Sequence, residues 1–259
     1  MRNRLTNISI TKKVALSIAI LVGFCLMFAV ARGNSGHTAV GYNNQGMAAL
    51  GNGNYNEALA DFNQSIKLDP SSAVTFNNRG VAYSELGEMD KALADFDQAI
   101  KINPYYAVAF YNRGSAYSEL GEIDEALADF NQSIKLDSSS AVTFNNRGLT
   151  YSKSGEMDKA LADYNQAINL DPNYALAFNN RGLAYSELGK MDEALAAFNQ
   201  SIMLDPNVSW SRYYRGVAYQ QLGNKTASIA DFQKCLTLNP DADIRQKAET
   251  ALQQLGVTP

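Results

Sequence analysis

One pattern of residues repeats at a constant interval through most of this 259-residue chain. A glycine recurs six times at this interval, and a tyrosine follows it in five of the six units. An alanine or serine and then an aromatic residue come later in each unit. Repetition at intervals of roughly 20–50 residues is typical of arrays of small supersecondary units, so it constrains the fold more than any other feature. The glycines are Gly46, Gly80, Gly114, Gly148, Gly182 and Gly216, and the aromatics are Phe62, Phe96, Phe130, Tyr164, Phe198 and Phe232.

Each unit is predicted to form two helices. Gly80 and the tyrosine after it share one face of a first helix, and Ala92 and Phe96 share one face of a second. Gly87 suits the turn between them, and Pro104 ends the second helix because it lacks an N–H group. A pair of helices cannot bury its whole apolar surface alone, so successive units are expected to stack.

This spacing of small, aromatic and proline residues resembles the tetratricopeptide repeat (TPR) family over about four-fifths of the chain. The resemblance implies an all-α fold, a right-handed α-solenoid of six helix hairpins followed by a C-terminal capping helix. We expect the capping helix in residues 243–259, with Ile244, Ala248, Ala251 and Leu255 on its apolar stripe. The six predicted repeats are 39–72, 73–106, 107–140, 141–174, 175–208 and 209–242.

The N-terminal region predicts a membrane signal. Residues 14–31 are an uncharged apolar run between a basic segment, 1–13, and a polar tether, 32–38. As a helix the run would rise about 27 Å, close to a hydrocarbon core of about 30 Å. Because basic residues precede it, we expect a signal-anchor that leaves the repeats outside the cytoplasmic membrane. The alternative is a secreted or periplasmic protein cleaved near Ala31, where Ala29-Val30-Ala31 has a small-x-small pattern.

Composition excludes several classes of function. The net charge is −4 although residues 1–32 hold five bases and no acid, so the repeats are acidic and nucleic-acid binding is not expected. The single histidine, His37, lies in the tether, and Cys25 and Cys235 stand far apart. No phosphate-binding loop, metal-ligand spacing or nucleophile with a base is present, so we expect neither an enzyme, nor a cofactor, nor a metal site.

Asparagines recur on the first helices, at positions that face a concave groove in the family. An amide carries both a donor and an acceptor, so a row of amides can hold the backbone of an extended peptide. The alternative is that these amides bond the neighbouring helix inside the array. An aromatic cluster near the C-terminus is either a binding hot spot or packing against the capping helix. The predicted peptide-binding residues are Asn44, Asn77, Asn78, Asn112, Asn145, Asn146, Asn179 and Asn180, with Trp210, Tyr213 and Tyr214.

An arginine precedes the repeated glycine in five units, where the family usually has an apolar residue. A partly buried arginine needs a paired charge, and an aspartate next to the buried aromatic is its expected partner. Pairing within a unit leaves Arg181 and Asp61 alone, whereas pairing with the next unit's arginine leaves Arg215 and Asp231 alone. We interpret these groups as structural ion pairs that fix the register of the repeats. The set is Arg79, Arg113, Arg147, Arg181 and Arg215, with Asp61, Asp95, Asp129, Asp163 and Asp231.

The sequence therefore predicts a protein-interaction scaffold of a membrane-anchored or secreted bacterial type. The expected partner is an extended peptide or a protein held in the concave groove, within a cell-envelope complex. The alternative is a structural or self-associating module that docks through its convex face without using a groove. The oligomeric state stays open.

Overall fold

The computed structural model describes residues 38–258, and within this range all regular secondary structure is α-helical. Thirteen helices form in these residues, joined by short turns. They are α1 (Ala39–Gly51), α2 (Tyr55–Leu68), α3 (Ala73–Glu85), α4 (Met89–Ile102), α5 (Ala107–Leu120), α6 (Ile123–Leu136), α7 (Ala141–Lys153), α8 (Met157–Leu170), α9 (Ala175–Glu187), α10 (Met191–Leu204), α11 (Ser209–Gln221), α12 (Lys225–Thr237) and α13 (Ala242–Gln254).

The chain divides into two compact units between Ser138 and Ser139. In the first unit three hairpins follow one another, α1–α2, α3–α4 and α5–α6. In the second unit three more are followed by the single helix α13. Inside each unit the second helix of one hairpin packs on the first helix of the next, and consecutive first helices also contact each other. We call the surface formed by these first helices the first-helix face. The predicted all-α arrangement of consecutive hairpins is thereby confirmed for the described residues.

The repeated small residues allow the two helices of a hairpin to approach closely. A Cβ atom added at Gly80 would lie 2.6 Å from the Phe96 ring, so no larger side chain fits there without movement. The Phe96 ring is 1% exposed and packs with Ala92 and Ala116. Gly87, in the turn that joins the two helices, has φ +76°, a conformation that residues with a side chain rarely adopt. The glycine–aromatic spacing thus builds the core of each hairpin.

The second helices end in extended backbone before the next hairpin begins. Asp69 has φ −137° and ψ 93°, as expected for a residue that precedes proline. Asp137 adopts nearly the same angles, φ −141° and ψ 99°, although Ser138 replaces the proline in that unit. The hairpin connection therefore keeps its geometry without the ring.

The last helix, α13, covers the end of the second unit. Ile244, Ala248 and Ala251 are buried against the preceding hairpin, as the apolar stripe predicts. Leu252 completes this stripe with 0% exposure, whereas Leu255 caps the helix and is half-buried. Leu255 lies beyond the last helical residue, Gln254, so the buried stripe ends at Leu252.

The predicted cytoplasmic segment 1–13, the apolar helix 14–31 and residues 32–37 of the tether lie outside the described residues. Thr38, the last tether residue, caps α1 by accepting a hydrogen bond from the Gly41 N–H group at 3.0 Å. Among the helices of residues 38–258, none has the length and apolarity needed to span a bilayer.

Candidate functional site

The asparagines of the first unit form a chain of hydrogen bonds across three first helices, which we call the amide ladder. Asn112 Nδ2 donates to Asn77 Oδ1 at 2.8 Å, and Asn78 Nδ2 donates to Asn43 Oδ1 at 3.1 Å. Asn77 Nδ2 lies 3.4 Å from Asn78 Oδ1 and links these two bonds. Asn77 and Asn78 therefore each serve as both donor and acceptor inside the protein.

The second unit repeats this arrangement. Asn180 Nδ2 donates to Asn145 Oδ1 at 2.8 Å, and Asn145 Nδ2 donates to Asn146 Oδ1 at 3.1 Å. The ladder ends at Asn179, whose Oδ1 accepts a hydrogen bond from the Ser211 hydroxyl at 3.2 Å. Buried amides must be satisfied in this way, since an unpaired one costs about 1–3 kcal/mol.

Burial separates the predicted contact residues into three groups. Asn77, Asn145 and Asn179 are 0–3% exposed, so a ligand does not reach them in this conformation. Asn44, in the first hairpin, is exposed. The remaining ladder asparagines are 5–8% exposed: Asn78, Asn112, Asn146 and Asn180. The geometry favours the alternative in which the ladder amides bond neighbouring helices, because their hydrogen-bonding groups are engaged within the array.

A row of apolar side chains lies beside the ladder on the first-helix face. In the first unit Val40, Val74 and Val108 are 68%, 46% and 42% exposed. We call these three residues the valine row. Each is the second residue of its helix, in α1, α3 and α5, so they recur at the interval of the repeat. The equivalent residues of the second unit, Val142, Leu176 and Trp210, are half-buried.

One of the three residues of the aromatic cluster near the C-terminus, Tyr214, belongs to the core. Tyr214 is 9% exposed and its ring lies 6.3 Å from that of Phe198. Its hydroxyl has no hydrogen-bond partner in the described residues, and burial raises its pKa. Tyr213 is half-buried, with its ring 5.7 Å from Phe232. Of the two tyrosines, only Tyr213 lines a hollow next to α13.

The arginines of the first helices pair with aspartates of their own hairpin. Arg79 Nε and Nη2 each donate to Asp95 at 2.7 Å, a bidentate arrangement. These hydrogen bonds raise the pKa of Arg79. Of the two pairings left open by the sequence, the structure shows the one within the hairpin. The same pair forms in Arg113–Asp129, Arg147–Asp163 and Arg215–Asp231.

In Arg79, Arg113 and Arg215 the third nitrogen reaches the preceding hairpin. Arg79 Nη1 donates to Asn63 Oδ1 at 2.6 Å, and Arg113 Nη1 donates to Asp97 Oδ1 at 2.6 Å. Asn63 and Asp97 lie 16 residues before their arginines, on the second helix of the previous hairpin. One side chain therefore holds two hairpins together, and we call this arrangement the arginine staple. The sequence analysis missed it, although a polar residue recurs at the interval of the repeat as Asn63, Asp97, Asn131, Asn165 and Asn199.

Two of the predicted ion-pair residues form no ion pair within the described part of the chain. Arg181 faces Ala197 instead of an aspartate. Its Nη1 donates to Asn165 Oδ1, while its buried Nε has no hydrogen-bond partner among residues 38–258. Burial lowers the pKa of Arg181, the opposite of the shift at Arg79. Asp61 has no arginine in its hairpin because Gln45 stands in that place, and burial raises the pKa of Asp61. The ion-pair assignment of Arg181 and Asp61 is corrected accordingly.

Supplying the missing aspartate is expected to stabilise the fifth hairpin. Ala197 is 1% exposed and stands where Asp95 and Asp231 stand in their hairpins. Ala197→Asp should raise the free energy of unfolding by about 1–2 kcal/mol, since a hydrogen bond to a charged group stabilises the fold more than one between neutral groups. Urea unfolding followed by circular dichroism measures the change. Ala197→Asn, which adds an amide without charge, is the matched control. Equal stability of the two variants would contradict the missing-charge explanation.

The described residues show no metal-binding constellation. No group of three histidine, cysteine, aspartate or glutamate residues within them is placed to hold a metal ion. His37 and Cys25 lie outside this part of the chain. Cys235 is buried, and burial raises the pKa of its thiol to about 12. This thiol is therefore protonated at neutral pH, and its structural role is that of a small core residue.

Family models match more than half of the chain. Models described as TPR repeat or tetratricopeptide repeat match residues 51–87 and 151–189, residues 73–106 and 107–140, and residues 185–253. No protein sequence of curated function matches the chain significantly.

Solved structures share the fold. The APC/C hetero-tetramer Cut9–Hcn1 has a TM-score of 0.75 at 21% identity, covering 85% of this chain and 44% of that one. This chain therefore spans less than half the length of that relative. MamA is 27% identical with a TM-score of 0.56, covering 62% of this chain and 94% of that one. YrrB, described as a TPR protein with an unusual peptide-binding site, has a TM-score of 0.56 at 24% identity, covering 73% of this chain and 97% of that one.

Proposed function

The chain belongs to the tetratricopeptide repeat family, whose repeats generally mediate protein–protein interaction, and from this premise we propose that it is a scaffold for an extended partner segment. Members of this family are typically non-enzymatic. The partner segment lies along the first-helix face of a unit, with apolar side chains on the valine row. The proteins bound belong to a cell-envelope complex.

The exposure of the valine row carries this proposal. Three aliphatic side chains, each 42% exposed or more, are repeated on equivalent faces of three consecutive first helices. Apolar side chains that recur at a regular interval favour a partner with apolar side chains at a matching interval. Fully burying each such side chain contributes about 1.5–3 kcal/mol. The exposed amide of Asn44 lies one helical turn from Val40 and is placed to bond the partner's backbone.

The amide ladder has a supporting role in this proposal. Its bonds fix the spacing of consecutive first helices, so the valines are held in one register before a partner arrives. A preorganised surface loses less conformational entropy on binding than a mobile one. Asn78, Asn112, Asn146 and Asn180 therefore act on the partner mainly by positioning the face, with a small exposed edge of each amide available for contact.

The cell-envelope location rests on residues 14–31. We propose that this run anchors the repeats on the extracytoplasmic side of the cytoplasmic membrane, with cleavage near Ala31 as the alternative. The uncharged length and the basic flank support the anchor. Mass spectrometry of the mature N-terminus distinguishes the two. Recovery of a chain that begins at Arg32 would overturn the anchor.

A triple substitution tests the role of the first-helix face. Val40→Lys, Val74→Lys and Val108→Lys together should abolish partner capture in an affinity pull-down from the source cells, because lysine carries charge into the apolar contact. The fold should persist, since all three positions are exposed. The matched control changes Leu68, Leu86 and Leu120 to lysine; these exposed leucines of the same unit are not in the valine row. Partners retained by the valine variant but lost by the leucine variant would contradict the proposal.

Docking through the start of the array is the second candidate. Ala48 in α1 is exposed, whereas its equivalents Ala82 and Ala116 are 0% and 3% exposed beneath a preceding hairpin. A self-associating module would use this end and leave the valine row free. Ala48→Arg should then remove the association, while the valine variant would behave as wild type.

A further inference from the structure

The fifth hairpin, α9–α10, has an arginine without the carboxylate that the equivalent arginines hold. In the second hairpin Arg79 Nε and Nη2 donate to the two carboxylate oxygens of Asp95, each at 2.7 Å. Arg181 is the equivalent of Arg79, and Ala197 is the equivalent of Asp95. The Ala197 side chain ends at its Cβ atom, where an aspartate continues with its carboxylate. The fifth hairpin therefore has the donor half of this contact without the acceptor.

The other contacts of Arg181 hold its guanidinium as that of Arg79 is held. Arg181 Nη1 donates to Asn165 Oδ1 at 2.9 Å, as Arg79 Nη1 donates to Asn63 Oδ1. The Arg181 guanidinium lies 5.0 Å from the centre of the Phe178 ring, and the corresponding distance for Arg79 is 5.4 Å. These two contacts occupy one nitrogen and one face of the guanidinium. Its Nε–Nη2 edge is therefore directed to the place that a carboxylate occupies in the second hairpin.

No acid of the described residues compensates the charge of Arg181. Its Nε is buried and has no hydrogen-bond partner among residues 38–258. Burial lowers the pKa of Arg181, and no carboxylate of this part of the chain opposes the effect. A largely buried cation without a counter-charge is unfavourable, because it has lost hydration without gaining a partner. The site is therefore one where an added anion gains free energy.

A small ligand can approach the guanidinium from the solvent. Arg181 is partly exposed, and its hydrogen-bond partner Asn165 is exposed on α8. The side chain thus runs from the buried Nε to the protein surface at Nη1. An anion that enters beside Asn165 meets the guanidinium before it meets Ala197.

The equivalent hairpins identify the group that fits this edge. A planar carboxylate matches the two parallel N–H groups of an arginine in a bidentate contact. A chloride ion is a single atom and cannot reproduce two parallel hydrogen bonds to separate oxygens. Formate is the aspartate carboxylate with a hydrogen in place of Cβ. The arginines that hold a carboxylate in this way are Arg79, Arg113, Arg147 and Arg215.

We propose that Arg181 and Ala197 form a binding site for one carboxylate group supplied from outside the chain. The carboxylate accepts hydrogen bonds from Arg181 Nε and Nη2 and lies next to the Ala197 Cβ atom. A free anion such as formate or acetate carries this group, and so does an acidic side chain of a partner protein. The site does not depend on the proposed function, because it lies among α8, α9 and α10 of the second unit, whereas the valine row belongs to the first.

The Nε–H signal of Arg181 in NMR spectra of the full chain reports on this site directly. Sodium formate or sodium acetate, titrated at an ionic strength kept constant with sodium chloride, should shift this signal. The shift should saturate on the order of 1–10 mM, because a ligand of so few atoms binds weakly. The Nε–H signals of Arg79 and Arg147 should not move, since aspartates already accept these bonds. Chloride alone should bind at least about tenfold more weakly, because it lacks the bidentate contact.

Two aspartate variants locate the response. Ala197→Asp supplies the carboxylate from within the chain and should abolish the shift. Ala196→Asp is the matched control, because it adds the same charge at the exposed neighbouring residue and should keep the shift. Urea unfolding gives an independent measurement: acetate should raise the midpoint of the wild type and leave that of Arg181→Gln unchanged. Equal loss of the shift in both aspartate variants would overturn the site.

A blocked aspartate, N-acetyl-aspartate N-methylamide, distinguishes the two sources of the carboxylate. A response equal to that of acetate assigns the site to an acidic side chain of a partner. A response to formate and acetate alone assigns it to a free anion. A shift of the Arg181 signal that does not saturate, that chloride reproduces at the same concentration, or that appears equally at Arg79 would overturn the proposal.

Discussion

Asp95→Ala is expected to lower the free energy of unfolding by about 2–4 kcal/mol, because removing one partner of a largely buried ion pair leaves the other charge uncompensated. The Asp95 side chain is 7% exposed and that of Arg79 is 20% exposed. Both bonds of the bidentate contact are lost in this variant, and only the bond from Arg79 to Asn63 remains. The hairpin loses one internal connection and keeps its connection to the hairpin before it.

The matched control is Asp61→Ala, which removes the same carboxylate from the equivalent place in the first hairpin. Asp61 has no arginine opposite it, so the change should alter stability by at most about 0.5 kcal/mol. Amide hydrogen exchange is the suitable measurement, because individual repeats of an array can unfold separately. The midpoint of a global unfolding curve averages over these local events. Faster exchange confined to α3 and α4 in Asp95→Ala is expected. Equal effects of the two alanine variants would show that the ion pair contributes nothing.

Phe96→Ala is expected to lower the free energy of unfolding by about 3–5 kcal/mol, the usual loss when a buried phenylalanine is truncated. The ring is 1% exposed and fills the space against Gly80, where an added Cβ atom would lie 2.6 Å from it. Gly80 has no side chain and Ala92 and Ala116 are small, so these three neighbours cannot fill the cavity. The variant should lose most of the hydrogen-exchange protection of the second hairpin.

Tyr105→Ala serves as the control for aromatic truncation. Tyr105 is 81% exposed in the connection between the second and third hairpins. Its removal should change stability by about 0.5 kcal/mol or less. If Phe96→Ala cost less than about 1 kcal/mol, the glycine–aromatic contact would not be the core of the hairpin.

The hairpins were predictable because their signal is repeated and local. Each repeated type of position meets one physical requirement. Gly80 allows the two helices to approach closely, Gly87 adopts a positive φ, and Phe96 supplies the buried ring. Six copies of the same spacing exclude chance, so the all-α fold and the family followed from the sequence. The choice between two ion pairings did not follow. An aspartate before the arginine and an aspartate after it are separated from it by similar lengths of chain, and helices can pack to bring either one close.

The role of the asparagines was harder to predict for a different reason. An asparagine that faces a groove and an asparagine that bonds the next helix look alike in the sequence, because both recur at the interval of the repeat. Asn77 and Asn78 are adjacent in sequence, and only the rotation of α3 decides that the first is 3% and the second 8% exposed. The staple contact from Arg79 to Asn63 could not be predicted from the sequence either, since an asparagine on an outer helix face is usually solvated.

The arginine staple also bears on how such a chain changes its length through inheritance. Each middle hairpin carries both parts of the staple. Its arginine bonds the hairpin before it, and an acceptor such as Asn63 or Asp97 bonds the arginine of the hairpin after it. A gene that gains or loses whole repeats therefore encodes a protein in which every new junction is already complementary. The segment EALADFNQSIKLD, identical at 57–69 and 125–137, is what such copying of two repeats at a time leaves behind. The number of repeats is thus open to change by recombination alone, without a new staple contact having to evolve.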